Sequence, residues 1–376
     1  MKDRIIVSAA PHLHDRTNIP MVMWNVVIAL VPALVAAVWF WGWKSLWLTL
    51  LGAFSAVAAE ALVQKFRKLP VSVADGSAFL TGMLLSYNIS VGAPFWLPMV
   101  GSVFAIIIGK QVFGGLGNNP VNPALLGRAF LLASWPTLMT DKWVPALNRA
   151  VKDGHYALSG MNDLSLIAAD SLQTAFPKVH ALLTTSATPL KVAQTLRDTT
   201  WISSLSPDQV ANKAVSLSVF ENLFDLTTLK SLFAGNIGGC IGEVSVFALL
   251  LGAAWLIYKN IIDWRVPSFY IGTVFVIAFL FGGIPGSSYS IGLPFFHIFS
   301  GGLMLGAFFM ATDYTTTPLT KKGRIIFGIG CGLLTMVIRL VGGYPEGVSY
   351  SILFMNVMTP LIDRLTMPRA FGEARK

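Results

Sequence analysis

Phe113-Gly114-Gly115-Leu116-Gly117-Asn118-Asn119-Pro120-Val121-Asn122-Pro123-Ala124 separates two apolar runs, Phe95 to Val112 and Leu125 to Ala133. No regular helix crosses this stretch comfortably. Its glycines permit backbone angles closed to other residues, and each proline removes a donor N–H. Inside a bilayer such backbone is tolerated only where protein buries it or where it lines a cavity. The stretch therefore predicts the lip of an internal site at the end of a broken helix. Its asparagines have two readings. One is a helix cap, a role for which Asn is preferred. The other is a hydrogen bond to a polar ligand.

The rest of the chain supports a membrane setting. Of 376 residues, 54% are hydrophobic and 12% are charged, against roughly 25% charged in soluble domains. The mean hydropathy is +0.66, which predicts an all-α polytopic membrane protein. Apolar runs outward from the central stretch define about ten spans, at 20–42, 46–64, 74–90, 94–112, 121–136, 239–258, 267–284, 291–312, 323–341 and 346–363. The third and fifth are shorter than the ~20 residues of a full crossing, as interrupted helices would be.

The net charge of +9 reads as a topology signal. With both termini inside, basic residues gather on inner segments: Lys65, Arg67 and Lys68; Lys259 and Arg265; Lys321, Lys322 and Arg324. The short outer loops hold only Lys44. That is the positive-inside pattern, and it removes the nucleic-acid reading. Trp39, Trp41, Trp43 and Trp47 gather at the first outer turn, as an interfacial belt does. No cleavable signal peptide is expected before the first span.

The expected organisation is a first five-helix half (1–136), an outer insert (137–237) and a second five-helix half (238–376). The insert carries eight basic and eight acidic residues and is neutral. An odd number of spans per half makes the halves inverted repeats. Gly114-Gly115 and Gly342-Gly343 follow the fourth and ninth spans, with Pro120 and Pro345 soon after each. Such repeats with broken helices carry a binding site near their pseudo-two-fold axis.

Ionisable groups within spans are Glu60, Arg128, Glu243, Asp313 and Arg339, with Asp75 and Glu346 at span ends. None is spaced as a metal site or a catalytic constellation. Cys240 and Cys331 lie in apolar runs and read as packing residues. Asp75 reads as a cap, Lys110 and Arg339 as snorkelling cations, and His297 as a helix–helix hydrogen bond. Asp313, in Ala311-Thr312-Asp313-Tyr314-Thr315-Thr316, is either a turn residue or an acceptor for a ligand.

Together these motifs carry a resemblance along nearly the whole chain. It rests on Pro11-His12-Leu13-His14, Phe113–Ala124, Thr185–Leu190, Ala311-Thr312-Asp313, Gly342–Val348 and Thr359–Asp363. The chain resembles the RnfD component of Rnf complexes, the ion-translocating ferredoxin:NAD oxidoreductases, and is similar to the NqrB component of sodium-pumping NADH:quinone reductases. The resemblance implies a flavin-carrying subunit of an electron-transport complex in a bacterial or archaeal cytoplasmic membrane. In that family a threonine is esterified to the phosphate of FMN by a flavin transferase, and the matching residue is Thr188. Ser186 stands where the family motif has glycine. A second, noncovalent flavin, riboflavin, is implied within the spans, with Asn119, Asn122 and Asp313 as its expected polar contacts. Electrons would pass from a partner subunit carrying covalent FMN to Thr188-linked FMN, then to the buried flavin, coupled to Na⁺ or H⁺ movement. Iron–sulfur subunits complete the implied complex. The competing readings are an inverted-repeat solute channel or transporter without redox role, and a structural scaffold.

Overall fold

The computed structural model describes residues 18–140, 190, 193–194, 224–235, 238–282, 291–342 and 346–367, apart from the side chains of Thr140 and Thr227. Within them the chain is helical, with one isolated bridge, Ser90 to Cys240. In order, α1 is Ile19–Trp41, α2 Trp43–Phe66, α3 Ser77–Tyr87, α4 Trp96–Gln111 and α5 Pro123–Ser134. Short helices α6 (Pro136–Thr140) and α7 (Leu226–Ala234) follow. The second half contains α8 (Val246–Tyr258), α9 (Arg265–Phe281), α10 (Gly292–Phe299), α11 (Leu303–Met310), α12 (Lys321–Val341) and α13 (Val348–Thr366).

A helix thus lies in each of the apolar runs read as spans. α1, α2 and α12 are long and apolar enough to cross a bilayer, and α10 with α11 forms a broken fourth, bent by 68°. The expected short pieces are short: α3 has 11 residues and α5 has 12. The eighth run is expected to be continuous and instead bends sharply. The bend falls at Ser300-Gly301-Gly302, where Gly301 has φ +70°.

The outside of the bundle is apolar. Ile28, Val35, Phe54, Leu62, Leu251, Val276, Leu280 and Val337 are all exposed on helix faces. Contiguous apolar surface of this kind is paired with lipid rather than water. The polar side chains are turned inward, and the chain is a polytopic membrane protein.

With hydrocarbon outside, helix association depends on close packing and interhelical hydrogen bonds. Small residues supply the first. α2 meets α3 where Gly52 faces Gly82, and a Cβ added to Gly82 would lie 2.7 Å from Ala53 Cα. Buried hydroxyls supply the second. Tyr270 of α9, Thr335 of α12 and Ser351 of α13 form a closed set, with Tyr270 to Thr335 and Thr335 to Ser351 both at 2.6 Å. Tyr87 Oη on α3 donates to Leu30 O of α1 at 2.8 Å. α2 packs on α3 and α4, α9 on α12, α1 along α8, and α5 against α13. The last two pairs join the halves and bring both broken regions together.

Candidate functional site

The central stretch begins where α4 widens. Residues Ile107–Gln111 form a π-helical turn, and Gly114, Gly115 and Gly117 follow with φ of +112°, +99° and +96°. Nothing crowds Gly115 or Gly117, so glycine is needed there for backbone angle and not for space. The chain re-enters the helix at Asn122. Its Oδ1 accepts from the N–H groups of Ala124 and Leu125 at 3.0 and 3.3 Å, and Pro123 begins α5. Its Nδ2 donates to Met310 O at 3.2 Å. Asn122 is therefore a cap that also ties α5 to the end of α11.

Asn119 is different. Its Nδ2 donates to Thr315 Oγ1 at 2.8 Å and to Val121 O at 3.2 Å, while its buried Oδ1 has no partner. Thr315 Oγ1 in turn donates to Asp313 Oδ2 at 3.0 Å, and Thr316 Oγ1 does so at 3.3 Å. Asp313 thus organises its own turn and presents a carboxylate. The turn reading holds.

Asn119, Asn122 and Asp313 line one cavity, with about 740 Å³ of space between its atoms, part of it open to solvent. The room it offers to a water-sized sphere is only about 80 Å³, below the roughly 300–1,000 Å³ of small-molecule sites, so a ring-sized ligand requires its walls to part. Leu84, Leu116, Phe308 and Phe309 supply apolar wall, and Ser77 and Lys110 are among its further polar groups. Phe308 and Phe309 stand on a second π-helical turn, Gly306–Met310. Each half thus contributes a widened turn to the same cavity. A neighbouring, more polar cavity shares Ile261, Ile262, Thr312, Asp313 and Tyr314 with it. There Asp263 receives Arg265 and Arg324, with Nη1 to Oδ2 distances of 2.8 and 2.6 Å. Partial burial pushes the Asp263 carboxyl up. The Arg265 backbone N–H and the two guanidiniums more than offset this and hold it below its ordinary value.

Lys110 and Arg339 do not snorkel. Lys110 is 1% exposed, and its Nζ lies 2.7 Å from Glu60 Oε1 and 2.6 Å from Ser77 Oγ. Gln111 Nε2 also donates to Glu60 Oε1, at 2.7 Å. The widened turn lets these consecutive residues reach the same carboxylate. Arg339 is buried and donates to the carbonyls of His297 and Ser300. It satisfies the C-terminal end of broken α10, where a cation is favoured by the helix dipole. Asp75 is the cap expected of it, with Oδ1 accepting from Ser77 N at 2.8 Å.

A second buried cluster lies around Arg128 of α5. Its guanidinium pairs with Glu346 and donates to Asn88 Oδ1 at 2.9 Å and Ser349 Oγ at 2.7 Å. Ligand atoms of Cys240, Glu243 and Glu346 come within 4.8 Å of one another, a grouping their spacing in the chain does not suggest. Thr188 lies outside the described residues. Two positions on, Leu190 is buried close to Gly301, and Gln194 Nε2 donates to Gly342 O at 2.6 Å.

Comparison with known proteins gives these sites a context. The profile of the NQR2, RnfD, RnfE family matches residues 6–372. The chain is 43% identical over 371 residues to the D-type component of the Na⁺-translocating ferredoxin:NAD⁺ oxidoreductase complex of Acetobacterium woodii, covering 99% of this chain and 96% of that one. It is 40% identical over 374 residues to the D-type component of the proton-translocating ferredoxin:NAD⁺ oxidoreductase complex of Clostridium ljungdahlii, covering 100% and 98%. The D-type component of the ion-translocating oxidoreductase complex of Escherichia coli K12 is 36% identical over 384 residues, covering 98% and 99%. With a match that runs almost from end to end, the chain belongs to the NQR2, RnfD, RnfE family.

Proposed function

We propose that this chain is the flavin-carrying membrane subunit of an Rnf-type complex that transfers electrons between ferredoxin and NAD and moves ions across the cytoplasmic membrane. It sits there as two inverted five-helix halves, with both termini inside and residues 137–237 outside. The matched pairing of α2 with α3 and α4, and of α9 with α10 and α12, supports that layout. A flavin transferase attaches FMN through its phosphate to Thr188. A partner subunit with its own covalent FMN and iron–sulfur subunits complete the electron path.

Riboflavin occupies the cavity between the halves. The observation that carries this is the buried, unpartnered Oδ1 of Asn119. A buried acceptor without a donor is costly, and a ring N–H of a heteroaromatic ligand relieves that cost. Asp313 adds a second acceptor and Lys110 a cation, while Leu116, Phe308 and Phe309 keep water from the ring. Asn122 holds α5 and α11 together beneath them. A flavin supplies one- and two-electron redox chemistry, which the protein tunes through such contacts.

Acid extraction of native protein followed by chromatography tests the cavity. Free riboflavin is expected from wild type and its loss from Asn119→Ala. A wild type yielding none, or full occupancy in the variant, refutes the assignment. Intact-mass measurement of the chain, made in cells holding the transferase, tests Thr188. The mass of an added FMN phosphoryl group is expected, and its absence after Thr188→Ala. An unmodified wild type leaves a transporter or a scaffold as the better reading.

A further inference from the structure

Two polar groups of the cavity wall, Ser77 and Lys110, are also links in a hydrogen-bonded chain that leads away from it. Lys110 Nζ donates to Ser77 Oγ at 2.6 Å, and Ser77 Oγ donates to Asp75 Oδ1 at 2.6 Å. Asp75 is half-buried, at the start of α3 beside the exposed Ser72. On its other side Lys110 is fixed by Glu60, which accepts from Gln111 at 2.7 Å and from Gln64 at 3.3 Å. Gln64 in turn donates to Ser72 Oγ at 2.8 Å and accepts from Ser72 N at 2.9 Å. Both branches thus end at residues 72–75. Capping of α3 needs only Ser77 N, and an ion pair needs only Glu60. Neither explains a hydroxyl set between a buried ammonium and a half-exposed carboxylate.

We propose that Asp75, Ser77 and Lys110 deliver protons from solvent to a reducible ligand in the cavity. This rests on the reading of the cavity as a flavin site. An electron entering a low-dielectric cavity adds a charge that a proton cancels. Lys110 gives a proton from Nζ to the ligand edge and is left as the neutral amine. Ser77 Oγ passes its own proton to Nζ and takes another from Asp75, which has drawn it from water. Each electron supplied by the reductant of the complex brings in one proton from solvent, and the three side chains end as they began. Glu60 holds Nζ in place throughout. The other charged groups facing the chain are Arg67, whose Nη1 donates to Gln111 O at 2.7 Å, and Asp313, from elsewhere on the cavity wall.

The test uses the full-length chain in a Thr188→Ala background, so that only noncovalent flavin reports. Dithionite is added by rapid mixing, and flavin bleaching is followed together with proton uptake by a pH-indicator dye. Ser77→Ala leaves the Lys110–Glu60 pair in place. It is expected to slow proton uptake per bound flavin at least about tenfold, a smaller factor than the ~10²–10⁴-fold that a positioned acid contributes. Ser77→Thr keeps the hydroxyl and is expected to keep the wild-type rate. Asp75→Asn, at the half-exposed end, is expected to slow uptake in the same way and serves if Ser77→Ala does not accumulate. Wild-type uptake rates in the loaded Ser77→Ala or Asp75→Asn protein overturn the proposal. A wild-type chain with no extractable flavin overturns the cavity reading, and the proton path with it.

Discussion

Removing one member of the Lys110–Glu60 pair should do more harm than removing both. The side chains of Lys110 and Glu60 are 2% and 1% exposed, so neither charge reaches water. Lys110→Met leaves a carboxylate with only the amides of Gln111 and Gln64 for company. Breaking a buried pair in this way costs about 3–5 kcal/mol, whereas replacing both partners is often close to neutral. Glu60→Gln alone strands the ammonium against Ser77 Oγ and should cost a similar amount. The double variant removes both charges and keeps an amide able to meet Gln111. It should recover most of the loss, so that the coupling, of opposite sign, cancels most of the summed ~6–10 kcal/mol of the single losses. At roughly 2 °C per kcal/mol, the low end for a long chain, each single variant melts about 6–10 °C below wild type in detergent, and the double variant within a few degrees of it. Single variants that melt with wild type, or a double variant showing the plain sum of the two losses, would show that the pair is hydrated and the burial argument wrong.

Three smaller effects follow from other contacts. Asn122→Ala removes the acceptor for two N–H groups of α5 and should cost about 0.5–2 kcal/mol, read as a lower melting temperature with unchanged helix content by circular dichroism. Tyr270→Phe empties one corner of the hydroxyl set with Thr335 and Ser351 and should cost about 1–2 kcal/mol; adding Thr335→Val to it should cost less than the two changes apart. Asp263 holds its carboxyl below the usual range through Arg265 and Arg324, so its stabilisation is present above the unfolded value of about 3.9 and lost as pH falls through the lower folded value. The melting advantage of wild type over Asp263→Asn should therefore hold at neutral pH and shrink below about pH 4.

Much of the fold is legible in the sequence because lipid imposes one rule along the whole chain: a run of apolar residues must be helical. The helices accordingly fall where the apolar runs fall, and the short third and fifth pieces are visible as short runs. The central stretch reads correctly as a break, since Gly-Gly-x-Gly and two prolines act locally. What a local pattern leaves hidden is direction. Lys110 and Arg339 look like cations at span ends, yet their partners Glu60 and His297 are 50 and 42 residues away. Arg128 and Glu346 are 218 apart. Cys240 reads as packing because nothing nearby announces that Glu346 will come to its side. The bend at Ser300-Gly301-Gly302 carries a signal, two adjacent glycines, but the apolar residues on either side disguise it as one continuous span. The family resemblance groups Asn119, Asn122 and Asp313, and the fold does bring them to one cavity wall. Only the structure separates the cap from the unpartnered acceptor.

The widened turns at Ile107–Gln111 and Gly306–Met310 have a consequence for how this cavity can change over time. A π turn is one residue too many absorbed without breaking the helix. Deleting that residue would restore the α-helical turn and re-aim the side chains within it by up to about 100°, while the chain on either side keeps its register. In the first half that would carry Lys110 and Gln111 away from Glu60 in a single step. Gain or loss of a codon at these two places is therefore a coarse dial on the chamber, one that point substitutions cannot turn.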